Sequence, residues 1–285
     1  MTAARPSAGG LAGPLLLDGG LWTGLLARGL PVEVLPEEWV LARPDDVRAV
    51  HAAHARAGAS VVLSATFNLA TPRLAARVGP GRDEAIAEAA VLLARQGAPG
   101  ARVAASLGAT GAPDKAGGVI AARYRVAARA IARAGADLAW IETQTDLGEA
   151  LAALAACREA GLEAVVTFAF REERGRLVGA EGVPAETWLS AAAALGAAAV
   201  GANCTAPGPA FTRLAFAAQA LSVPFVAKPS PGPPGQVMEP RPFAATVAPA
   251  VQAGARLVGG CCGTSAEHLA ALAPLLAQAG TVARG

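Results

Sequence analysis

Four cysteines, Cys157, Cys204, Cys261 and Cys262, are the residues of this sequence best suited to chemistry. Cys261 and Cys262 are adjacent, a poor layout for structural disulfides. Where no export signal is read, such thiols are more often metal ligands or catalytic groups than cross-links. Three thiolates with one open coordination position are a ligand set for catalytic zinc, whereas structural zinc takes four protein ligands. Cys204, Cys261 and Cys262 could form such a trio if the fold brings them together. Two small residues at a packed strand end, or a vicinal disulfide, fit the same pattern, and spacing alone leaves these readings open. Cys157 falls inside a helical stretch and reads as a small buried core residue.

The elements that must position these thiols repeat. Eight short apolar segments, 15–20, 61–67, 102–108, 138–143, 164–170, 198–204, 224–230 and 256–262, lack clean alternation, as strands covered on both faces do. Between them lie Ala-rich stretches of helical period, such as 45–57, 123–133 and 149–160. Pro44 and Asp45 mark a helix start, and Thr264-Ser265-Ala266-Glu267 fits a capping box. Several helices end on one phrase: Ala-Gly-Ala at 57–59, 134–136 and 253–255, and Ala-Gly-Leu at 160–162. A Gly just past a helix end permits a left-handed turn straight into the next strand. Eight strand-then-helix units in 285 residues are the count for an α/β fold of the single (β/α)8 TIM-type barrel kind. The expected organisation is one barrel domain over residues 1–285, with residues 1–13 a flexible lead. A doubly wound sheet is the runner-up. The segment at 19–24, Gly-Gly-Leu-Trp-Thr-Gly, does not fit G-x-G-x-x-G, which weakens a dinucleotide reading.

In a barrel the C-terminal strand ends converge on one mouth, where active sites sit. The polar residues of this apolar chain fall there. They are Asp18, Ser64, Thr66, Asn68, Ser106, Glu142, Thr143, Thr167, Asn203, Cys204, Lys228, Ser230, Cys261 and Cys262.

Composition narrows the function classes. Apolar residues make up 53% and charged residues 16%, which excludes an intrinsically disordered chain. With 24 basic and 22 acidic residues, the net charge of +2 argues against a nucleic-acid binder. Arg dominates the bases, and Lys115 and Lys228 are the only lysines. Residues 187–212 carry no charge, but Ala, Gly, Asn and Pro make them a poor membrane span. The first twenty residues hold one Arg and an apolar run broken by Gly and Pro, so no signal peptide is expected and the expected location is cytoplasmic.

Gly201-Ala202-Asn203-Cys204, together with Gly259-Gly260-Cys261-Cys262-Gly263-Thr264, resembles the paired signature of the homocysteine S-methyltransferase family. That family includes betaine-, S-methylmethionine- and cobalamin-dependent enzymes. Leu17-Asp18-Gly19-Gly20, the Thr66 segment, and Ala136-Asp137 through Glu142-Thr143 stand in the family's order and spacing, so the resemblance spans nearly the whole chain. It implies a zinc-dependent methyltransferase that makes methionine. Cys204, Cys261 and Cys262 would be the zinc ligands and homocysteine's thiolate the fourth. Asp18 and Glu142 match positions that hold the substrate ammonium, a role suited to charge-assisted hydrogen bonds. Thr66, Asn68 and Ser106, with nearby backbone amides, would take the substrate carboxylate. Asn203 would either orient Cys204 or cap a strand end.

The methyl donor is less legible. Lys228-Pro229-Ser230-Pro231-Gly232 and the Trp39-to-Pro44 spacing resemble the homocysteine half of cobalamin-dependent methionine synthase, yet no D-x-H-x-x-G motif is present. Either a methyl-corrinoid or folate protein delivers the methyl group, or a small onium compound such as S-methylmethionine or S-adenosylmethionine donates it. An onium favours aromatic faces, which makes Trp22 and Trp39 candidates. Four Trp and one Tyr leave little for a full betaine cage. His51 and His54 read as a solvent-facing H-x-x-H, His268 as structural, and residues 171–176 as a solvated loop. Two rival functions remain. One is a homocysteine-activating subunit of a corrinoid or folate methionine synthase. The other is a phosphate-binding TIM-barrel enzyme without zinc, using the Gly-rich ends of the last two strands.

Overall fold

A computed structural model describes residues 11, 13–112, 117–233 and 235–282. Eight parallel strands form its centre: β1 (Leu15–Leu16), β2 (Val61–Ser64), β3 (Arg102–Leu107), β4 (Leu138–Gln144), β5 (Ala164–Phe168), β8 (Ala199–Asn203), β9 (Phe225–Lys228) and β10 (Ala255–Val258). Their order is β1-β10-β9-β8-β5-β4-β3-β2, and the parallel bridge Leu17↔Val61 brings the last strand back to the first. The seam is thin. It also holds the Asp18 amide on the Val61 carbonyl (3.1 Å) and the Ser60 amide on the Leu16 carbonyl (2.8 Å). The sheet is therefore a nearly closed TIM-type barrel, with all eight expected strands in sequence order. Most end earlier than expected, because the polar residues after them leave the ladder to form the mouth.

The strands bury two faces. Leu17, Val61, Leu63, Ala104, Leu138, Trp140, Val165, Ala199, Val226 and Leu257 fill the barrel interior. Their neighbours Val62, Val103, Ala105, Ala139, Ile141 and Val166 pack outward against the helices. This alternation between two buried environments explains why the sequence shows no polar-apolar alternation. Leu11 joins the interior cluster at 1% exposure. The rest of the expected flexible lead, apart from Gly13, lies outside the described residues.

Helices α1 (Leu21–Leu26), α2 (Pro36–Ala42), α3 (Pro44–Arg56), α4 (Pro72–Val78), α5 (Asp83–Gly97), α6 (Gly117–Arg133), α7 (Leu147–Glu159), α8 (Ala185–Ala194), α9 (Pro209–Ala217), α10 (Pro240–Gln252) and α11 (Ala266–Val282) surround the strands. The repeated helix-ending glycines take positive φ as expected, for example 102° at Gly58 and 77° at Gly135. Cys157 is fully buried on α7. No helix among the described residues is long and apolar enough to cross a membrane.

Three local expectations need correction. His51 and His54 do not face solvent: they are 0% and 3% exposed. With Val47 and Val50 they form the buried stripe of α3, and a Cβ at Gly97 would come within 2.7 Å of the His51 Cβ, so α5 packs tightly there. Burial, then His54, lowers the His51 pKa to about 4, so its ring is neutral. Residues 171–176 are not a plain loop. Strands β6 (Arg171–Glu173) and β7 (Arg176–Val178) pair as an antiparallel hairpin. The last helix is capped through His268 rather than by the Thr264–Glu267 box. The Ser265 amide donates to His268 Nδ1 (3.2 Å), and the Ser265 hydroxyl to Glu267 Oε2 (2.5 Å).

Candidate metal and substrate site

The three strand-end cysteines meet. Cys204 follows β8 with φ 53°, a left-handed turn, and its amide donates to the Lys228 carbonyl at 3.3 Å. Cys261 follows β10, and its amide donates to the Pro229 carbonyl at 3.0 Å. Both loops are thus pinned to the end of β9. The sulfurs stand 3.3 Å apart for Cys261–Cys204 and 3.6 Å for Cys204–Cys262, and all three lie within 4.8 Å of one another. A tetrahedral zinc with metal–sulfur bonds of about 2.3 Å needs sulfurs about 3.8 Å apart, so the trio fits after a small outward shift. All three are half-buried and line a cavity. As bare thiols they share charge unequally. Hydrogen bonds from Cys261 and Cys262 push the Cys204 pKa down. Hydrogen bonding to Cys204 pushes Cys262 and Cys261 up. A divalent cation removes that conflict, since it favours the deprotonated form of every ligand.

Asn203 braces the cluster. Its Oδ1 accepts from the Thr143 amide (2.9 Å), and its Nδ2 donates to Thr143 Oγ1 (2.7 Å) and to Cys261 Sγ (3.5 Å). Thr143 has φ 57°, an uncommon conformation for a β-branched residue. The sulfur that Asn203 touches is that of Cys261; the sequence reading paired it with Cys204.

Three carboxylates line the cavity: Asp18, Glu142 and Glu37. Glu142 Oε1 accepts from the Ser106 hydroxyl at 2.5 Å. Burial raises the Glu142 pKa to about 7, with Lys228 opposing and Cys261 reinforcing the rise. Its open side faces the cavity rather than bulk solvent. Asp18 is 1% exposed, with Oδ1 on Lys228 Nζ (2.6 Å) and Oδ2 on the Leu63 amide (2.7 Å).

The cavity is about 330 Å³ and is lined by Asp18, Trp22, Phe67, Asn68, Arg73, Ser106, Glu142, Lys228 and the three cysteines, among others. Of the expected site residues, only Thr66 and Asn203 are absent from its lining. The Thr66 hydroxyl donates instead to the Ser106 carbonyl (2.8 Å), behind the wall. Trp22 lines the cavity; Trp39 packs in the core beneath the Arg43 guanidinium, 4.8 Å from the ring centre. A roomier cavity of about 490 Å³, between the β6–β7 hairpin and α9, holds no cysteine and none of the carboxylates at the strand ends.

Two buried residues were assigned no role from sequence. Glu37, on α2, accepts from the Asn68 amide (2.7 Å) and Asn68 Nδ2 (3.0 Å). Burial raises its pKa against those bonds. Only its place directly after Pro36 at a helix start hinted at a fixed position. Lys228 was visible as one of two lysines, placed at a strand end.

The family model for homocysteine S-methyltransferase matches residues 15–276. The chain belongs to the homocysteine S-methyltransferase family. This makes it a methyltransferase of the EC 2.1.1 class. It is 29% identical to Homocysteine S-methyltransferase 4 of Zea mays over 317 residues, which cover 95% of this chain and 91% of the maize protein. The metallated form of the Escherichia coli homocysteine methyltransferase MmuM superposes with a TM-score of 0.75 at 27% identity, covering 91% of this chain and 95% of that one. The carboxyl transferase domain of Rhizobium etli pyruvate carboxylase, carrying Y628A and bound to pyruvate, superposes at 0.58 with 16% identity, over 94% of this chain and 48% of that one. That likeness is one of fold alone.

Proposed function

We propose that this protein moves a methyl group from a small onium donor onto the sulfur of homocysteine, giving methionine, with zinc held by Cys204, Cys261 and Cys262. The observation that carries the proposal is the three-sulfur cluster opening on a cavity that also holds Asp18 and Glu142. When bound, zinc supplies a Lewis acid with one open position that keeps the homocysteine sulfur a thiolate.

The chain's own residues then orient the reactants. Glu142 and Asp18 accept hydrogen bonds from the substrate ammonium. Ser106 fixes the Glu142 carboxylate, and Thr66 holds the Ser106 backbone in turn. Asn68, fixed by Glu37, presents the second hydrogen of its NH2 group to the substrate carboxylate. Asn203 steadies Cys261 and the Glu142–Thr143 turn together. The homocysteine sulfur attacks the methyl carbon, a new S–C bond forms, and the donor's S–C bond breaks. Its electron pair stays on the donor sulfur, which leaves as a neutral thioether. Holding both reactants in line supplies much of the acceleration.

The aromatic wall of Trp22 and Phe67 supports an onium donor such as S-methylmethionine or S-adenosylmethionine over a methyl-corrinoid or folate protein. The test is zinc content of the reduced protein together with methionine formation from S-methylmethionine, S-adenosylmethionine and betaine. Zinc with methionine from one sulfonium donor supports the proposal. Zinc without methionine from any of them sinks the donor assignment and favours a corrinoid or folate partner. A zinc-free protein still active after Cys204→Ser sinks the metal assignment.

A further inference from the structure

Lys228 is 2% exposed. An ammonium so placed is costly unless it is paired and hydrogen-bonded. It ends β9, and its Nζ lies 2.6 Å from Asp18 Oδ1 and 5.7 Å from the centre of the Trp140 ring. Trp140 belongs to the barrel interior, and its Nε1 donates to Thr167 Oγ1 at 3.3 Å. The cation therefore rests on the barrel's inner packing, directly below the cavity. From the other side Asp18 Oδ2 accepts from the Leu63 amide of β2 at 2.7 Å. One carboxylate is thus gripped from two strands across the barrel mouth.

Glu142 and Asp18 differ in this respect. Glu142 has a neutral hydroxyl as its hydrogen-bond partner, whereas Asp18 has a cation. Each Asp18 oxygen carries two acceptor sites, so the grip leaves acceptor capacity for a further donor. We infer that Lys228 is a positioning residue for substrate selection: by holding the Asp18 carboxylate in place, it lets the cavity recognise the amino group of an amino-acid thiol. This rests on the reading above that Asp18 receives the substrate ammonium. Without Lys228 the carboxylate loses one of its two anchors and can turn away from the substrate ammonium. It then attracts an ammonium far less.

The test compares homocysteine with 4-mercaptobutanoate, which keeps the thiol and carboxylate but lacks the amino group. Both are titrated calorimetrically into the zinc-loaded wild type, Lys228→Met, Asp18→Asn and the double variant. Met keeps most of the stem that covers Trp140. The expected result is about a tenfold or larger loss of homocysteine affinity in Lys228→Met, the scale of one charge-assisted hydrogen bond. Binding of 4-mercaptobutanoate stays within about twofold of wild type. An equal loss for both ligands, or none for homocysteine, overturns the inference. If Asp18→Asn keeps its preference for homocysteine, the Asp18 reading itself fails, and the inference with it. If Asp18→Asn loses the preference and Lys228→Met retains it, only the Lys228 inference fails. Should Lys228→Met not fold, the charge-free double variant is compared with Asp18→Asn. A homocysteine affinity within about twofold supports action through Asp18; a further drop overturns it.

Discussion

Glu142→Gln should make the metal-free protein more stable and a worse binder at once. The folded Glu142 pKa is raised from 4.5 to about 7, chiefly by burial. The folded state therefore holds the proton more tightly than the unfolded chain does. That preference favours folding below the unfolded value and is progressively lost as pH rises through about 7. At about 1.4 kcal/mol per unit the full effect is about 3.5 kcal/mol. Water in the open cavity screens part of it, which leaves about 1–3 kcal/mol. Gln keeps the size of the side chain and an oxygen for the Ser106 hydroxyl, but carries no charge. Thermal unfolding of the reduced, metal-free protein should show the variant roughly 2–6 °C above wild type near pH 8. The gap should close toward about pH 5, where the wild-type carboxyl is protonated in the fold. The same variant should lose about tenfold or more in homocysteine affinity, because a charge-assisted bond becomes a neutral one. A variant less stable than wild type at pH 8, or a gap that ignores pH, would refute the claim that Glu142 carries buried-charge strain for the sake of the substrate.

Other expectations follow from the same geometry. Cys204→Ser should lose stoichiometric zinc in elemental analysis while its circular dichroism stays native, since Cys204 lies on a surface of the cavity. Cys157→Ser should keep its zinc and unfold with about 1–3 kcal/mol less stability, because it places a hydroxyl in a fully buried apolar site on α7. Asn203→Ala removes the bonds to Thr143 and Cys261. It should weaken zinc binding about 10–100-fold in a chelator competition, and retention of wild-type affinity would show that Asn203 merely finishes the strand.

The barrel was legible because its signals are local. Apolar runs of strand length alternate with helical periods, and a Gly closes helix after helix. The sulfur cluster was legible because Cys204, Cys261 and Cys262 all stand at strand ends, which the topology converges. The partners of the site were not. Thr66 stands in the expected segment, but whether its hydroxyl points into the cavity or toward the Ser106 carbonyl depends on the turn after β2. Glu37 reaches Asn68 over a separation of 31 residues, and Lys228 reaches Asp18 over 210. No window of sequence holds both members of either pair. His51 and His54 were placed outside by their polarity, although their spacing from Val47 and Val50 marks the buried stripe of α3. There the helical period was the better guide than residue type.

In the proposed function three cysteine sulfurs hold a zinc whose open position takes the homocysteine sulfur. X-ray absorption at the zinc edge, on the reduced protein with and without homocysteine, tests it most directly. The expected spectrum shows a shell of three sulfurs and one lighter atom that becomes four sulfurs at about 2.3 Å when homocysteine is added. A shell unchanged by homocysteine, or one with fewer than three sulfurs before it is added, would contradict it.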